Sequence, residues 1–354
     1  MNLSDLLSVW NKVFPSFNGS LEIPVNLCGL PETISVSENE ISGVYFSLCK
    51  HFANTLEKSG LPRILVGVSG PAGSGKTTLA SLLATLCNAA PGYLPPAASV
   101  SMDAYHQTNA WLKREGLSPF KGRHDTYHVI AFANDLALLA SPKVTPLQPP
   151  TAELPLESRS GWAEARTCGD GLEVLLPVYD RAVTHDPVLG GVRVFPDVGI
   201  VFVEGLFLAR NSGSWANVFK QLTGGCIAID TPLSVCRSRA LHRRMRSILI
   251  SRSKDCNGSS EVLFRDPDTD TLEKLKEAEN HYVRADLVTY GEIKKDTVNA
   301  TVVLEFELSQ RASRELGVSV DETLALPALE VINALEGITR SGEGLGKLSI
   351  RRGL

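Results

Sequence analysis

The chain has 354 residues, 43% of them hydrophobic, and a formal net charge of −4. That length accommodates one enlarged α/β domain with additions. The acidic balance excludes a general nucleic-acid binder, which needs a basic surface to neutralise phosphates.

No apolar run approaches the roughly 20 residues of a membrane span. The first charged residue is Asp5 and no arginine precedes Arg63, which fits neither a secretory signal nor an Arg-rich transit peptide. Seven cysteines are scattered without a Cys-x-x-Cys pair, so neither a zinc site nor a disulfide framework is indicated, and a reducing, cytoplasmic location is expected.

Leu3, Leu6, Leu7, Trp10 and Phe14 recur at helical spacing, and a second helix-like run spans Ile41 to Leu56. Residues 1–60 are therefore expected to be a helical extension packed on a core domain of residues 61–310. That domain opens on the apolar run Ile64 to Val68, which reads as a buried strand, followed by Gly70-Pro71-Ala72-Gly73-Ser74-Gly75-Lys76-Thr77 and a helix-like run from Thr78. This is a complete G-x-x-x-x-G-K-[ST] phosphate loop in the strand and helix context its mechanism needs. Its glycines let backbone N–H groups turn inward on phosphate oxygens at a helix N-terminus. Gly70, Ala72, Gly73, Ser74, Gly75, Lys76, Thr77 and Thr78 are thus the expected ATP-binding set. Within it Lys76 neutralises the terminal phosphates and the Thr77 hydroxyl ligates Mg²⁺.

Ala98 to Met102 reads as the next strand and ends in Asp103; a polar stretch, Tyr105 to Thr126, precedes a helix-like run from Tyr127 to Leu139. Residues 142–171 are rich in Pro, Gly, Ser and Glu and read as an irregular insertion. Leu172 to Leu176 and Val192 to Phe195 are strand-like, with Gly190-Gly191 as a tight turn before the second. Gly199 to Val203 is a buried parallel strand ending in Glu204, and Cys226 to Ile229 is another, ending in Asp230. Strands alternating with helices around a phosphate loop give an α/β doubly wound parallel sheet, the P-loop NTPase fold, with helices on both faces. Residues 311–354 are expected to be a C-terminal helical segment and tail.

Carboxylates at the carboxyl ends of parallel strands face the ligand edge. There Asp103 and Glu204 can accept a proton or hold Mg²⁺, whereas Asp230, before Thr231-Pro232, is expected to cap the following helix. Tyr127 is expected in the core, and His128 and His281 on the surface. Arg237, Arg239, Arg243, Arg244, Arg246 and Arg252 follow with no acidic residue between them. Guanidinium forks bind phosphate bidentately, so residues 237–254 are expected to be a closing lid, with Arg239 and Arg243 offsetting charge on the transferring phosphate.

The phosphate loop, Ser101-Met102-Asp103-Ala104-Tyr105-His106, Lys121 to Tyr127, Pro177-Val178-Tyr179-Asp180-Arg181, Val203-Glu204-Gly205-Leu206 and the arginine run occur in the order seen in the phosphoribulokinase/uridine kinase family of P-loop kinases. The set most resembles the branch with pantothenate kinase and the fructose-transport-system-type kinases. The resemblance covers about Arg63 to Glu305. It implies that Asp103 is the general base, that Glu204 lies near Mg²⁺, and that Tyr105, His106, Lys121, Asp125, Tyr179, Asp180 and Arg181 line the acceptor pocket. Ala104 where glycine is usual, and Arg123-His124 in place of a smaller, less polar pair, depart from the family pattern.

The expected activity is ATP- and Mg²⁺-dependent transfer of the γ-phosphoryl group to a hydroxyl of a small sugar, polyol or pantothenate-like acceptor. The alternatives are a uridine or nucleoside kinase, and a nucleotide-dependent switch or assembly ATPase. An Asn-Lys-x-Asp base-reading tetrapeptide and a Ser-Gly-Gly signature are both absent from the chain. A small molecule is the expected partner, with no nucleic acid and no membrane, and a homodimer is left open.

Overall fold

The computed structural model describes residues 2–27, 30–141, 155–169, 171–181, 183–256, 269–308 and 346–352. The expected C-terminal segment lies outside the described residues except at 346–352, as do residues 142–154 and 170 of the insertion.

The N-terminal extension is only partly helical. Helix α1 (Leu3–Val13) starts on Asn2, whose side chain accepts from the Asp5 N–H at 2.9 Å. The second expected helix is also present, as α2 (Glu38–Glu40), one π turn (Ile41–Tyr45) and α3 (Phe46–Ser59), closed by Gly60 at φ +63°. Between them, however, β1 (Ser16–Phe17), β2 (Ser20–Leu27) and β3 (Leu30–Ser37) form an antiparallel sheet. The reason is a period of two that helical spacing cannot serve: Leu21, Ile23 and Val25 are buried on β2 while Glu22, Pro24 and Asn26 are less so.

Five parallel strands build the main sheet: β4 (Ile64–Ser69), β5 (Ala97–Ser101), β9 (Ile200–Gly205), β10 (Cys226–Asp230) and β11 (Val302–Leu308). Their order is β11-β10-β4-β9-β5, and β12 (Gly346–Arg352) pairs antiparallel on β11 at the edge. Alternation along each strand assigns its side chains to two cores. Ile64, Val66, Ile200, Phe202, Ile227 and Leu304 face α1, the N-terminal sheet and α4 (Lys76–Asn88). Leu65, Val201 and Val203 face α6 (Val129–Ala140) and α7 (Trp215–Gln221). Trp10 Nε1 donates to the Leu86 carbonyl at 3.0 Å, which joins the extension to the helix behind the phosphate loop.

On the second face a smaller antiparallel sheet is formed by β6 (Glu164–Cys168), β7 (Gly171–Tyr179) and β8 (Pro187–Val194). Part of the insertion is thus regular, since β6 belongs to it. The reversal between β7 and β8 is made by residues 180–186 rather than by Gly190-Gly191. Those glycines lie inside β8, where the register shifts between Leu176 and Val178. A Cβ at Gly191 would stand 2.2 Å from the Val178 side chain, so the pair accommodates a bulge instead of a turn.

The arginine run forms part of a 24-residue helix, α8 (Leu233–Cys256). Among the described residues no helix is long and apolar enough to cross a membrane. Tyr127 is buried, as expected, but His128 is buried too. It caps α6, its Nδ1 accepting from the Ala131 N–H at 3.2 Å while Nε2 lies 3.1 Å from the Glu157 carbonyl.

Candidate active site

The phosphate loop joins β4 to α4. Gly73 and Gly75 take φ of +82° and +94°, which side-chain-bearing residues rarely adopt. Under the loop the Ser74 hydroxyl is buried, with no hydrogen-bond partner among the described residues. It fills the space a side chain at Gly70 would need, 2.5 Å from that Cβ position. Helix α8 then packs directly on the loop: a Cβ at Gly73 would fall 2.2 Å from the Cys236 carbonyl oxygen.

Glu204, buried at the end of β9, accepts from Thr77 Oγ1 at 3.1 Å and from the Ser101 hydroxyl at the end of β5. Burial raises its pKa, the Lys76 ammonium opposes the rise, and the Asp103 charge adds to it. Asp103 is the second residue of the short turn Met102–Tyr105 after β5, its N–H donating to the Ser101 hydroxyl at 3.2 Å, and it pairs with Arg181. Burial alone would raise the Asp103 carboxyl, but Arg181, His106, Lys76 and Arg243 outweigh it and hold the group at about 2. The expected base and the expected metal-side carboxylate therefore share the field of one lysine, that of the phosphate loop.

Around Asp103, His106 is buried and pushed down to about 3 by burial, with Asp103 opposing, so its ring is neutral near pH 7. Its ring packs edge-on against Tyr127 and Tyr179, with centroids at 4.1 and 5.3 Å. Arg181 and Lys121 lie over the Tyr179 ring at 5.4 and 5.1 Å. Burial lowers Lys121 to about 8, with Asp186 and Asp103 opposing.

Other expected pocket residues are placed elsewhere. Tyr105 is in the core, where its hydroxyl donates to Asp135 at 2.9 Å and its ring stacks on Trp162. A turn of three residues rotates successive side chains by about 120°, so Asp103 and Tyr105 cannot face one pocket. The Asp180 carboxylate accepts from the Val183 and Thr184 N–H groups at 3.2 and 2.9 Å, folding its own loop. Asp125 pairs with Arg123 at 2.9 Å. Asp230 does not cap α8, which starts three residues on; it pairs with Lys294 and Arg351.

The described side chains of the arginine run extend to Arg244, and those of Arg246 and Arg252 lie outside them. Arg237 is buried and paired with Glu279 at 2.9 Å, and Arg244 is paired with Asp286 at 2.7 Å. Arg239 lies over Phe306 at 4.4 Å, with Nη1 3.9 Å from the Cβ position of Gly75 at the loop mouth. Arg243 is exposed to solvent and acts on the Asp103 charge. Arg239 and Arg243 are thus the two described arginines of the run that reach the site. Sequence reasoning missed the hydroxyl of Ser101, whose signal was its place two residues before Asp103. It also missed the Tyr127 hydroxyl, buried without a partner among the described residues and influenced by the Asp103 charge.

A parallel sheet, a phosphate loop between β4 and α4, and carboxylates at the ends of neighbouring strands define an α/β domain of the P-loop NTPase fold. No family model matches the chain. The uncharacterised protein YggC of Escherichia coli (strain K12) is 27% identical over 228 residues, covering 64% of this chain and 79% of that protein. A candidate uridine kinase of Schizosaccharomyces pombe is 26% identical over 232 residues, covering 64% of this chain and 82% of that one. Among solved structures, a candidate fructose transport system kinase from Silicibacter sp. TM1040 superposes with a TM-score of 0.48 and 22% identity, covering 71% of this chain and 94% of that one. In the order of its motifs the chain resembles P-loop kinases of the phosphoribulokinase/uridine kinase family.

Proposed function

We propose that this protein is an ATP-dependent kinase that transfers the γ-phosphoryl group to a hydroxyl of a small metabolite. The observation that carries the reading is that Glu204, at the end of β9, accepts from Thr77 of the phosphate loop at 3.1 Å and from the Ser101 hydroxyl of adjacent β5, which in turn accepts from the Asp103 N–H at 3.2 Å. In the transfer the acceptor oxygen bonds to the γ-phosphorus as the bond to the β,γ-bridging oxygen breaks, and ADP leaves. Asp103 orients the acceptor hydroxyl and takes its proton; a weakly basic carboxylate suffices, because bond formation to the nucleophile lags in a loose transition state. Lys76, Arg239 and Arg243 offset the charge on the phosphates. Thr77 and Glu204 present adjacent hard oxygen donors 3.1 Å apart, a set that fits Mg²⁺. Bound there, Mg²⁺ would supply charge neutralisation on the phosphates.

The buried free thiols of Cys49, Cys87, Cys226 and Cys236 support a reducing, cytoplasm-like setting. A second reading, a uridine or nucleoside kinase, is favoured by the name of the fission-yeast relative. Tyr127 and Phe207 are buried, so of the aromatic rings beside Asp103 the half-buried Tyr179 is the one open to a nucleobase, and a screen in which nucleosides alone are phosphorylated would select this reading.

Replacing Lys76 tests the reading at its root. Lys76→Ala should abolish transfer and weaken binding of a non-hydrolysable ATP analogue by about 10- to 100-fold, the worth of one hydrogen-bonded charge. Unchanged affinity, measured by isothermal titration calorimetry, would remove the nucleotide site from this loop.

A further inference from the structure

The turn that carries Asp103 is short, and it closes where the His106 N–H donates to the Asp103 carbonyl at 3.2 Å. Asp103 and Tyr105 therefore belong to one hydrogen-bonded ring of backbone, with side chains turned to different sides, so a displacement of either reorients the other. Tyr105 is held at two points, both on α6. Its carbonyl accepts from the His128 N–H at 2.8 Å where the helix begins, and its hydroxyl donates to Asp135, two turns on, at 2.9 Å. Its ring stacks on Trp162 with centroids at 5.5 Å and tilts against Phe132 at 4.6 Å.

Asp135 retains only 2% of its exposure. Enclosing a carboxyl group in the core costs stability that an apolar side chain of its size would not. Here the cost is offset by three donors aimed at it: the Tyr105 hydroxyl, the Trp162 N–H at 3.0 Å and the Ala163 N–H at 2.8 Å. The backbone comes so close that a Cβ at Gly161 would stand 2.7 Å from Asp135 Oδ1. Residues 162 and 163 lead directly into β6, a strand of the sheet whose β7–β8 connection presents Arg181 to Asp103. One carboxyl group thus ties the turn that bears the base to the sheet that bears the partner of that base.

Resting on the kinase reading above, we propose that Asp135 is a positioning residue for Asp103, holding the base-bearing turn through the Tyr105 hydroxyl and the β6-β7-β8 sheet through the Trp162 and Ala163 amides. It touches no reactant. Its work is to fix the direction of the Asp103 carboxylate, for which a misplacement of about 1 Å costs about 100-fold in rate.

Two variants of the full chain cut or strain this brace without emptying the core. Tyr105→Phe removes the hydroxyl and keeps the ring stack; Gly161→Ala keeps every polar group and presses on the carboxyl oxygen. In Tyr105→Phe the Asp103 and His106 amides should exchange hydrogen at least about 10-fold faster, with the amides of β4 and β9 unchanged. Transfer is then measured from γ-labelled ATP with Mg²⁺, using glycerol, fructose, pantothenate and uridine as acceptor probes. For both variants kcat should fall about 10-fold or more with KM for ATP unchanged. In a chain that already carries Asp103→Asn, Tyr105→Phe should cost less than about 2-fold, because the base it positions is gone. Asp135→Asn, which still bridges the hydroxyl and the amides, should fall between the wild type and Asp135→Ala. Unchanged exchange at Asp103, an unchanged kcat in Tyr105→Phe, or a loss of the same size with and without Asp103→Asn would assign Tyr105 and Asp135 to the core alone and overturn the inference. Failure of the wild type to label any of the four probes overturns the kinase reading, and this inference with it.

Discussion

At the scale of single residues, the carboxylates show how environment separates chemically identical groups. Asp103 is ringed by cations and sits at about 2. Asp135 is enclosed in the core; burial pushes it up to about 7, although it accepts from the Trp162 and Ala163 N–H groups and from the Tyr105 hydroxyl. The two shifts have opposite consequences for stability. Asp103, depressed on folding, contributes stability that is present above its unfolded value near 4 and lost as the pH falls toward 2. Asp135, raised on folding, holds its proton in the native state while the unfolded chain releases it. Its contribution is therefore full below about pH 4 and lost as the pH rises through about 7. Urea unfolding of wild-type and Asp135→Asn chains should show the wild type gaining on the variant as pH is lowered from about 7.5 to about 4.5. A stability difference that is flat across that window contradicts the shift. Sequence alone revealed Asp103 and Glu204, because each stands at the carboxyl end of a short strand-like run. It could not reveal Asp135, an acidic residue inside an apolar helix whose partners lie 27 and 28 residues onward.

Among the elements, β4 and β9 were legible because each is a short apolar run bounded by turn signals and buried on both faces. The sheet of β1, β2 and β3 was obscured because helical spacing on α1 and α3 brackets it. The turn expected at Gly190-Gly191 failed because glycine marks bulges as well as reversals. Helix α8 is expected as a lid, and its described first half is anchored: Arg237 is buried against Glu279, and the Cys236 carbonyl rests on the phosphate loop. This contact makes Gly73 a test of the element pair. Gly73→Ala would press a methyl carbon to 2.2 Å from that carbonyl, at a backbone φ of +82° that alanine rarely adopts. Either the loop or α8 must shift, so nucleotide-analogue affinity should fall by at least about 10-fold, with a loss of stability of about 1–3 kcal/mol for the strained backbone. Wild-type affinity and stability in Gly73→Ala would show that α8 does not set the loop.

Over the whole molecule, the two faces of the parallel sheet do different work. One face receives α1, the N-terminal sheet and α4 in a continuous apolar core, and it fixes the phosphate loop from behind. The other carries α6, α7 and the β6-β7-β8 sheet, whose connecting loop brings Arg181 to Asp103. On the proposed reading, phosphate donor and acceptor would meet at the carboxyl ends of β4, β5 and β9, the edge at which a doubly wound sheet holds its ligands in a crevice. The central claim is that this crevice moves a phosphoryl group to a hydroxyl with Asp103 as the proton acceptor. Its most direct test is transfer from γ-labelled ATP to a panel of hydroxylated small molecules, run with wild-type and Asp103→Asn chains. The account predicts a labelled acceptor with the wild type, and a kcat about 10²- to 10⁴-fold lower in Asp103→Asn with ATP affinity little changed. An unchanged kcat in Asp103→Asn, or ATP hydrolysis that no acceptor stimulates, would contradict it.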